Sequence, residues 1–356
     1  MKSITVKTAQ NEYILSVGRG FKHKIAGLLK ETYPKSKFAI ITDDNVSALY
    51  EKEIAKTFDE LDLRYDVITI KPGEKSKSMS VFSDINSFLA QKNYNRADVI
   101  VALGGGVVGD LAGFVASAYL RGISFVQIPT TLLAQIDSSV GGKTAINIPE
   151  GKNLVGAFYQ PSAVYIDMDF LTTLKSVDFA DGMAELIKYA AIKDAQMFET
   201  LEESDKIDAN SEILEELIVR CLQIKRDVVI EDELDRGERM KLNYGHTIGH
   251  GLERMCAKSG RHITHGQGVA RGMAAITAAS EALGQTLPGT TERIIAVLKK
   301  QELPTDIDGF DKDEILQGIL VDKKNMAEML NIILIDEIGK VYIHEINSGE
   351  VERYLK

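Results

Sequence analysis

The chain has 356 residues, 44% of them apolar and 26% charged, and a formal net charge of −10. That length suggests two domains, and that mix belongs to a globular protein with a core rather than a disordered one. The acidic balance argues against general nucleic-acid binding, which needs clustered cations, yet leaves room for a locally cationic pocket taking a small anion.

From the N-terminus, MKSITVKTAQNEYILSV alternates like a strand and lacks the apolar stretch of a signal peptide. Up to about residue 170, short apolar runs alternate with amphipathic stretches. Phe38 to Thr42, Val67 to Ile70, Val99 to Leu103, Ser124 to Ile128 and Val164 to Asp167 read as strands, with helices such as Val46 to Phe58 and Met79 to Gln91 between them. Apolar strands separated by helices imply a parallel sheet covered on both faces. Ligands bind beyond the carboxyl ends of such strands, and the polar clusters TDDN, PGEKSK, GGGVVGD and PTT each directly follow one. From Leu171 onward the period becomes helical, as in MAELIKYAAI and SEILEELIVRCLQI. A late pair of short strands, Ile332 to Ile335 and Lys340 to His344, is turned at Ile338-Gly339. The expected fold is an α/β, Rossmann-like parallel-sheet domain over 1–170, then a mostly α-helical domain over 171–356, with a cleft between them.

The most apolar window, Val99 to Ser117, is broken by glycines and Asp110, so no membrane partner is expected. Cys221 and Cys256 lack paired spacing, which points to a reducing, cytoplasmic setting without a disulfide framework.

The same window holds Gly104-x-Gly106-x-x-Gly109 between a strand and a helix. Glycines there let backbone approach a pyrophosphate at a helix N-terminus, although a tight packing turn has the same spacing. The acidic ribose partner expected about twenty residues on is absent, because that region reads Ser124-Phe125-Val126-Gln127. A ribose contact would have to come from elsewhere, with Asp43 and Glu74 as candidates. A second near-motif, GGKT at the end of DSSVGGKTAIN, resembles a phosphate-binding loop, but its first glycine would fall on Asp137. A carboxylate inside a triphosphate cradle excludes an ATPase, leaving Lys143 as a point charge for another phosphate.

Four of the six histidines crowd between positions 246 and 265, in NYGHTIGHGLE and RHITHGQGVARGM. On one continuous helix Arg239, Asn243, His246, His250 and Glu253 share a face, with Leu242, Ile248, Leu252 and Met255 opposite. Periodicity alone permits a solvated polar stripe. The residue types favour chemistry, and Gly245 and Gly249 would let something approach the backbone. Two histidines and a carboxylate make a zinc-type site with an open position. The carboxylate candidate is Glu185 in GMAELIKY, with Lys188 on the same face, although its own pattern also fits a surface residue.

Taken together, GGGVVGDLAGFVAS, RGISFVQIPTTLLAQIDSSVGGKTAIN, GKNLVGAF, GMAELIKY, LNYGHTIGH and His265-Gly266 resemble the 3-dehydroquinate synthase family of sugar phosphate cyclases. The likeness runs from TDDN to DKKN, nearly the whole chain. It implies a dehydroquinate synthase-like fold and conversion of 3-deoxy-D-arabino-heptulosonate 7-phosphate to 3-dehydroquinate and phosphate. The implied route is transient NAD oxidation, phosphate β-elimination, reduction, ring opening and aldol closure. By this resemblance Asp43, Asn45, Glu74 and Lys77 would serve the adenosine and ribose side of NAD. Gly105, Gly106, Val107 and Asp110 would line the pyrophosphate and nicotinamide ribose, with Thr130, Thr131, Asp137, Lys152 and Thr173 completing the pocket. The metal ligands, for Zn2+ or Co2+, would be Glu185, His246 and His265. Asp137, Lys143, Asn153, Lys188, Lys225, Arg239, Asn243, His250 and Lys324 would touch substrate, and Arg121 would reach a neighbouring subunit's pocket in a homodimer. Lys152 and Arg121 would also place the leaving phosphate.

Two positions depart from the family pattern: Asp235 stands where glutamate is usual, and HGQG, with Gln267, replaces HGEA. Sister cyclases making 2-epi-5-epi-valiolone or 2-deoxy-scyllo-inosose share the triad and the cofactor. Iron-dependent polyol dehydrogenases share the architecture but catalyse net redox.

Overall fold

The computed structural model describes residues 1–9, 11–321 and 329–355. By contacts the chain divides into two compact units: Met1–Leu174 with Lys225–Ile230, and Lys175–Ile224 with Glu231–Lys356.

The first unit opens with an antiparallel hairpin, β1 (Lys2–Lys7) and β2 (Glu12–Gly18), followed by α1 (Ile25–Thr32). Next come β3 (Lys37–Asp43), α2 (Asp44–Asp59), β4 (Arg64–Ile70), α3 (Met79–Gln91), β5 (Val99–Gly104), α4 (Gly106–Ala118) and β6 (Ser124–Pro129). A second hairpin, β7 (Lys143–Ile148) and β8 (Gly151–Phe158), precedes β9 (Ala163–Asp167). The main sheet runs β1-β2-β9-β6-β5-β3-β4, parallel except for the edge strand β1.

Alternation along the strands explains both faces. Phe38, Ile40, Val99, Val101 and Leu103 join a core with α1 and α2, while Ala39, Ile41, Ile100 and Ala102 join another with α3 and α4. All of β5 is buried, as a doubly covered strand requires. Chain order reverses between β3 and β5, so the crevice at their carboxyl ends lies between Asp43 and the glycine turn. The β7–β8 hairpin was not expected from the sequence. Gly141 and Gly142 take positive φ, and Lys143 begins a strand where a phosphate-binding loop would need a helix.

The second unit is helical: α5 (Ser176–Lys193), α6 (Ala195–Glu203), α7 (Leu214–Glu231, whose residues from Lys225 to Ile230 group with the first unit), α8 (His246–Ser259), α9 (His265–Ala282), α10 (Thr290–Lys300) and α11 (Lys312–Val321). The hairpin β10 (Met329–Glu337) and β11 (Lys340–Asn347) closes on Gly339 at φ 93°. Small residues let α9 be buried almost all round, and two of them, Gly268 and Gly272, set its contact with α8. A Cβ on Gly249 would lie 2.9 Å from the Gly268 carbonyl carbon, and one on Gly272 would collide with the Gly245 carbonyl oxygen. Gly245 and Gly249 therefore admit a neighbouring helix, which corrects the expectation that they admit a ligand.

Candidate active site

In the first unit, Asp43, Glu74, Lys77, the glycine turn, Thr130 and Thr131 follow parallel strands and so lie at one end of the sheet. Asp43 ends β3 and caps α2, accepting from the Asn45 and Val46 amides at 2.9 and 3.1 Å. Glu74 and Lys77 follow β4, Thr130 and Thr131 follow β6, and Thr173 lies 2.5 Å from the Tyr50 hydroxyl.

The glycine turn divides its labour. A Cβ on Gly104 would strike Val108 at 2.7 Å, and one on Gly109 would strike Gln127 Oε1 at 2.6 Å. Those two glycines serve packing. Gly105, extended, begins α4 with no side chain capping it, so the first amides of Gly106 and Val107 point out of the helix end as anion donors.

Behind that end sits a polar cluster. Lys77 Nζ, buried, lies 2.7 Å from Asp110 Oδ2, 2.6 Å from Asn153 Oδ1 and 3.6 Å from Glu74 Oε1. Asn147 ties β7 in by donating to Glu74 Oε1 at 2.8 Å while its own oxygen accepts the Asn153 amide at 2.8 Å. Asn153 occupies the left-handed region, φ 57°, so backbone strain is spent on aiming it. Burial pushes the Asp110 carboxyl up to about 6, and the Lys77 cation only partly offsets this. Lys225, buried, pairs with Asp137 at 2.6 Å. Lys143 and Lys152 lie at the start of β7 and on β8. Leu120, Arg121 and Gly122 all take positive φ, a tight turn that projects at Arg121.

In the second unit, α5, α8 and α9 bring three donors together. Glu185 Oε1, fully buried, lies 3.4 Å from His246 Nε2 and 3.5 Å from His265 Nε2. Two ligands about 2.1 Å from one ion at a tetrahedral angle stand about 3.4 Å apart. Both carboxylate–imidazole separations thus match a zinc-type site, and all three donors lie within 4.8 Å of one another. The other ring nitrogens are fixed by oxygens that only accept: His246 Nδ1 faces the Tyr244 carbonyl at 3.2 Å, and His265 Nδ1 faces Glu253 Oε1 at 2.9 Å. The Nε2 atoms of both rings are then turned toward Glu185.

Burial drives His246 down to about 3, so its imidazole is neutral and able to ligate. Burial also opposes charge on His265, but hydrogen bonds to Glu185 and Glu253 win and raise it to about 10. Lys188, buried one turn beyond Glu185, donates to Glu185 Oε2. His250 completes the face, its ring centroid 5.3 Å from that of His246 and 6.0 Å from that of His265.

One expectation is corrected. Arg239 and Asn243 do not share a helix with His246 and His250, because Gly245 at φ 79° breaks the chain between a short 3-10 turn (Glu238–Asn243) and α8. Arg239 is buried and donates to the Glu233 carbonyl at 2.9 Å, while Asn243 is exposed. Lys324 lies outside the described residues.

Sequence reasoning missed two residues. Asp181, one turn before Glu185, accepts the Gly266 amide and pins the start of α9 to α5. A Cβ on Gly266 would come within 2.6 Å of Asp181 Cα, so only glycine fits. The i−4 spacing of Asp181 from Glu185 was the available signal. Glu253, on α8, was seen only as part of a polar stripe. Gln267, one of the two departures, turns back to accept the Thr264 amide at 3.3 Å, closing a capping box that glutamine and glutamate can both make.

Among solved structures, the chain superposes on 2-deoxy-scyllo-inosose synthase complexed with carbaglucose-6-phosphate, NAD+ and Co2+, with a TM-score of 0.89 and 25% identity over 99% of each chain. It also matches in fold a 2-epi-5-epi-valiolone synthase from Streptomyces hygroscopicus with NAD+ and Zn2+ bound, at a TM-score of 0.87 and 24% identity over 98% and 97% of the two chains. The fold is that of the sugar phosphate cyclases. Models of the 3-dehydroquinate synthase N-terminal and C-terminal regions match residues 67–181 and 182–325. A 3-dehydroquinate synthase from Clostridium acetobutylicum is 46% identical, covering 100% of this chain and 99% of its own. The chain belongs to the 3-dehydroquinate synthase family.

Proposed function

We propose that this chain is a phosphate-eliminating carbon–oxygen lyase, converting 3-deoxy-D-arabino-heptulosonate 7-phosphate to 3-dehydroquinate and phosphate. The observation that carries the reading is the meeting of Glu185 Oε1 with the Nε2 atoms of His246 and His265, in a chain 46% identical to a 3-dehydroquinate synthase. NAD supplies an acceptor that takes and returns one hydride, and a divalent cation, zinc or cobalt, supplies Lewis acidity for substrate hydroxyls.

The chain's own residues do the rest. Glu185, His246 and His265 would hold the cation. Residues 1–170 would hold NAD through Asp43, Asn45, Glu74, Lys77, the Gly105–Val107 turn, Asp110, Thr130, Thr131, Asp137, Lys152 and Thr173. Residues 171–356 would supply the metal centre and substrate contacts. The substrate carries a carboxylate and a phosphate, which Lys143, Lys188, Lys225, Arg239 and Lys324 would bind by charge-assisted bonds, with Asn153, Asn243 and His250 on hydroxyls. Arg121 would act on a partner copy in a cytoplasmic homodimer, and with Lys152 would hold the departing phosphate. Oxidation at C5 acidifies the C6 proton, so phosphate leaves by β-elimination. Holding one flexible intermediate through reduction, ring opening and aldol closure is then the protein's main contribution.

Heptulosonate phosphate with sub-stoichiometric NAD should yield one phosphate per cyclised product and no accumulating NADH. The 2-deoxy-scyllo-inosose synthase likeness sustains a second reading, a sister cyclase. Phosphate release only from a different sugar phosphate would establish that one, and accumulation of NADH with a simple polyol would defeat both.

A further inference from the structure

We propose that Glu253 is a positioning residue of the metal centre, which holds the His265 proton on Nδ1 and turns Nε2 toward Glu185. The inference rests on the reading of Glu185, His246 and His265 as cation ligands, and adds a residue outside that set of three. Glu253 Oε1 lies 2.9 Å from His265 Nδ1, and its side chain is 12% exposed. A carboxylate accepts only, so His265 donates from Nδ1 to Glu253, which leaves Nε2 as the nitrogen turned toward Glu185 Oε1 at 3.5 Å and available to a cation.

The backbone makes this contact stiff. Glu253 lies two turns beyond His246 on α8, so one helix supplies a ligand and the group that aims another ligand on α9. Those helices meet closely through glycine backbone, Gly249 on Gly268 and Gly272 on Gly245, which leaves little room to change their spacing at those two points. Asp181 holds the start of α9 from the opposite side through the Gly266 amide. The backbone of His265 is therefore fixed by its own helix, while its ring is held on the Nδ1 side by Glu253 at 2.9 Å, a closer contact than the 3.5 Å from Nε2 to Glu185.

The test strips the purified full-length protein of metal and titrates it with Zn2+ against a chromophoric chelator. It also records the d–d absorption of Co2+-loaded wild type, Glu253→Gln and Glu253→Ala. Loss of a histidine-orienting partner weakens metal binding by about 10- to 100-fold. Glu253→Ala is expected in that range with an altered Co2+ spectrum. Glu253→Gln, which keeps an acceptor but drops the charge, should fall between it and wild type. A purely packing role would lower the unfolding temperature of the metal-free protein and leave affinity and spectrum alone. Unchanged affinity and spectrum in both variants overturn the proposal, and Glu253→Gln alone decides if the alanine variant does not fold. Should wild type bind Zn2+, lose it on His246→Ala, and yet release no phosphate, the cyclase reading fails while the Glu253 result still counts.

Discussion

Lys188 donates to Glu185 across one turn of α5, and both side chains are buried. Removing one partner of a buried pair strands the other charge, at a cost of about 3 kcal/mol or more. Lys188→Met should therefore lower the unfolding temperature of the metal-free protein markedly. A cation bound by Glu185 would replace the lost positive charge, so added Zn2+ should recover more stability in the variant than in wild type. Thermal unfolding with and without Zn2+ measures this, and an equal gain in both proteins would speak against Glu185 as a ligand.

The Asp110 carboxyl carries a pH signature. Burial raises it to about 6, above the ordinary value of about 3.9, so the folded state favours its protonated form. Its contribution to stability is fully present below about pH 4 and is lost as pH rises through about 6. Asp110→Asn should flatten the slope of stability between pH 4 and 6. Carbon-detected NMR of the Asp110 carboxyl should show a midpoint near 6, moving higher in Lys77→Met because the Lys77 cation pulls it down.

Gly266 and Gly27 form a controlled pair. Gly266 presses on Asp181 backbone, which cannot yield, whereas a Cβ on Gly27 in α1 meets nothing within 4 Å. Gly266→Ala should shift the first turn of α9, part His265 from Glu185, and abolish tight Zn2+ binding. Gly27→Ala should leave Zn2+ binding intact and stabilise the protein by about 0.5–1 kcal/mol through helix propensity. Equal Zn2+ affinities in the two variants would refute the account of Gly266.

The parallel sheet was legible because its strands are largely apolar and four of the five expected are followed by a polar cluster, and the observed β3, β5 and β6 begin within a residue of the expected starts. The β7–β8 hairpin was hidden because GGKT drew attention to a loop motif, while the alternation of Lys143–Ile148 lay beside it. Helical spacing from Arg239 to Glu253 concealed a break, since periodicity counts side chains and is blind to the positive φ at Gly245. The same blindness misassigned Gly249, whose partner Gly268 lies on another helix. Pairwise contacts across elements, such as Glu253 with His265 and Asp181 with Gly266, leave no period in any one segment.

Metal removal tests the donor set directly. Two imidazoles 3.4 and 3.5 Å from one carboxylate oxygen, with their outer nitrogens fixed, need little rearrangement to take a cation. Binding should therefore be tight, and the folded state should gain stability as free cation rises above its dissociation constant. At 100 times that constant the gain is about 2.7 kcal/mol. Dialysis against a strong chelator should lower the unfolding temperature and stop phosphate release from the heptulosonate phosphate, and Zn2+ or Co2+ should restore both. His246→Ala should match the stripped protein and gain nothing from either ion. Phosphate release that persists through chelation would mean that Glu185, His246 and His265 meet for a structural reason, and the triad would lose its place in the chemistry.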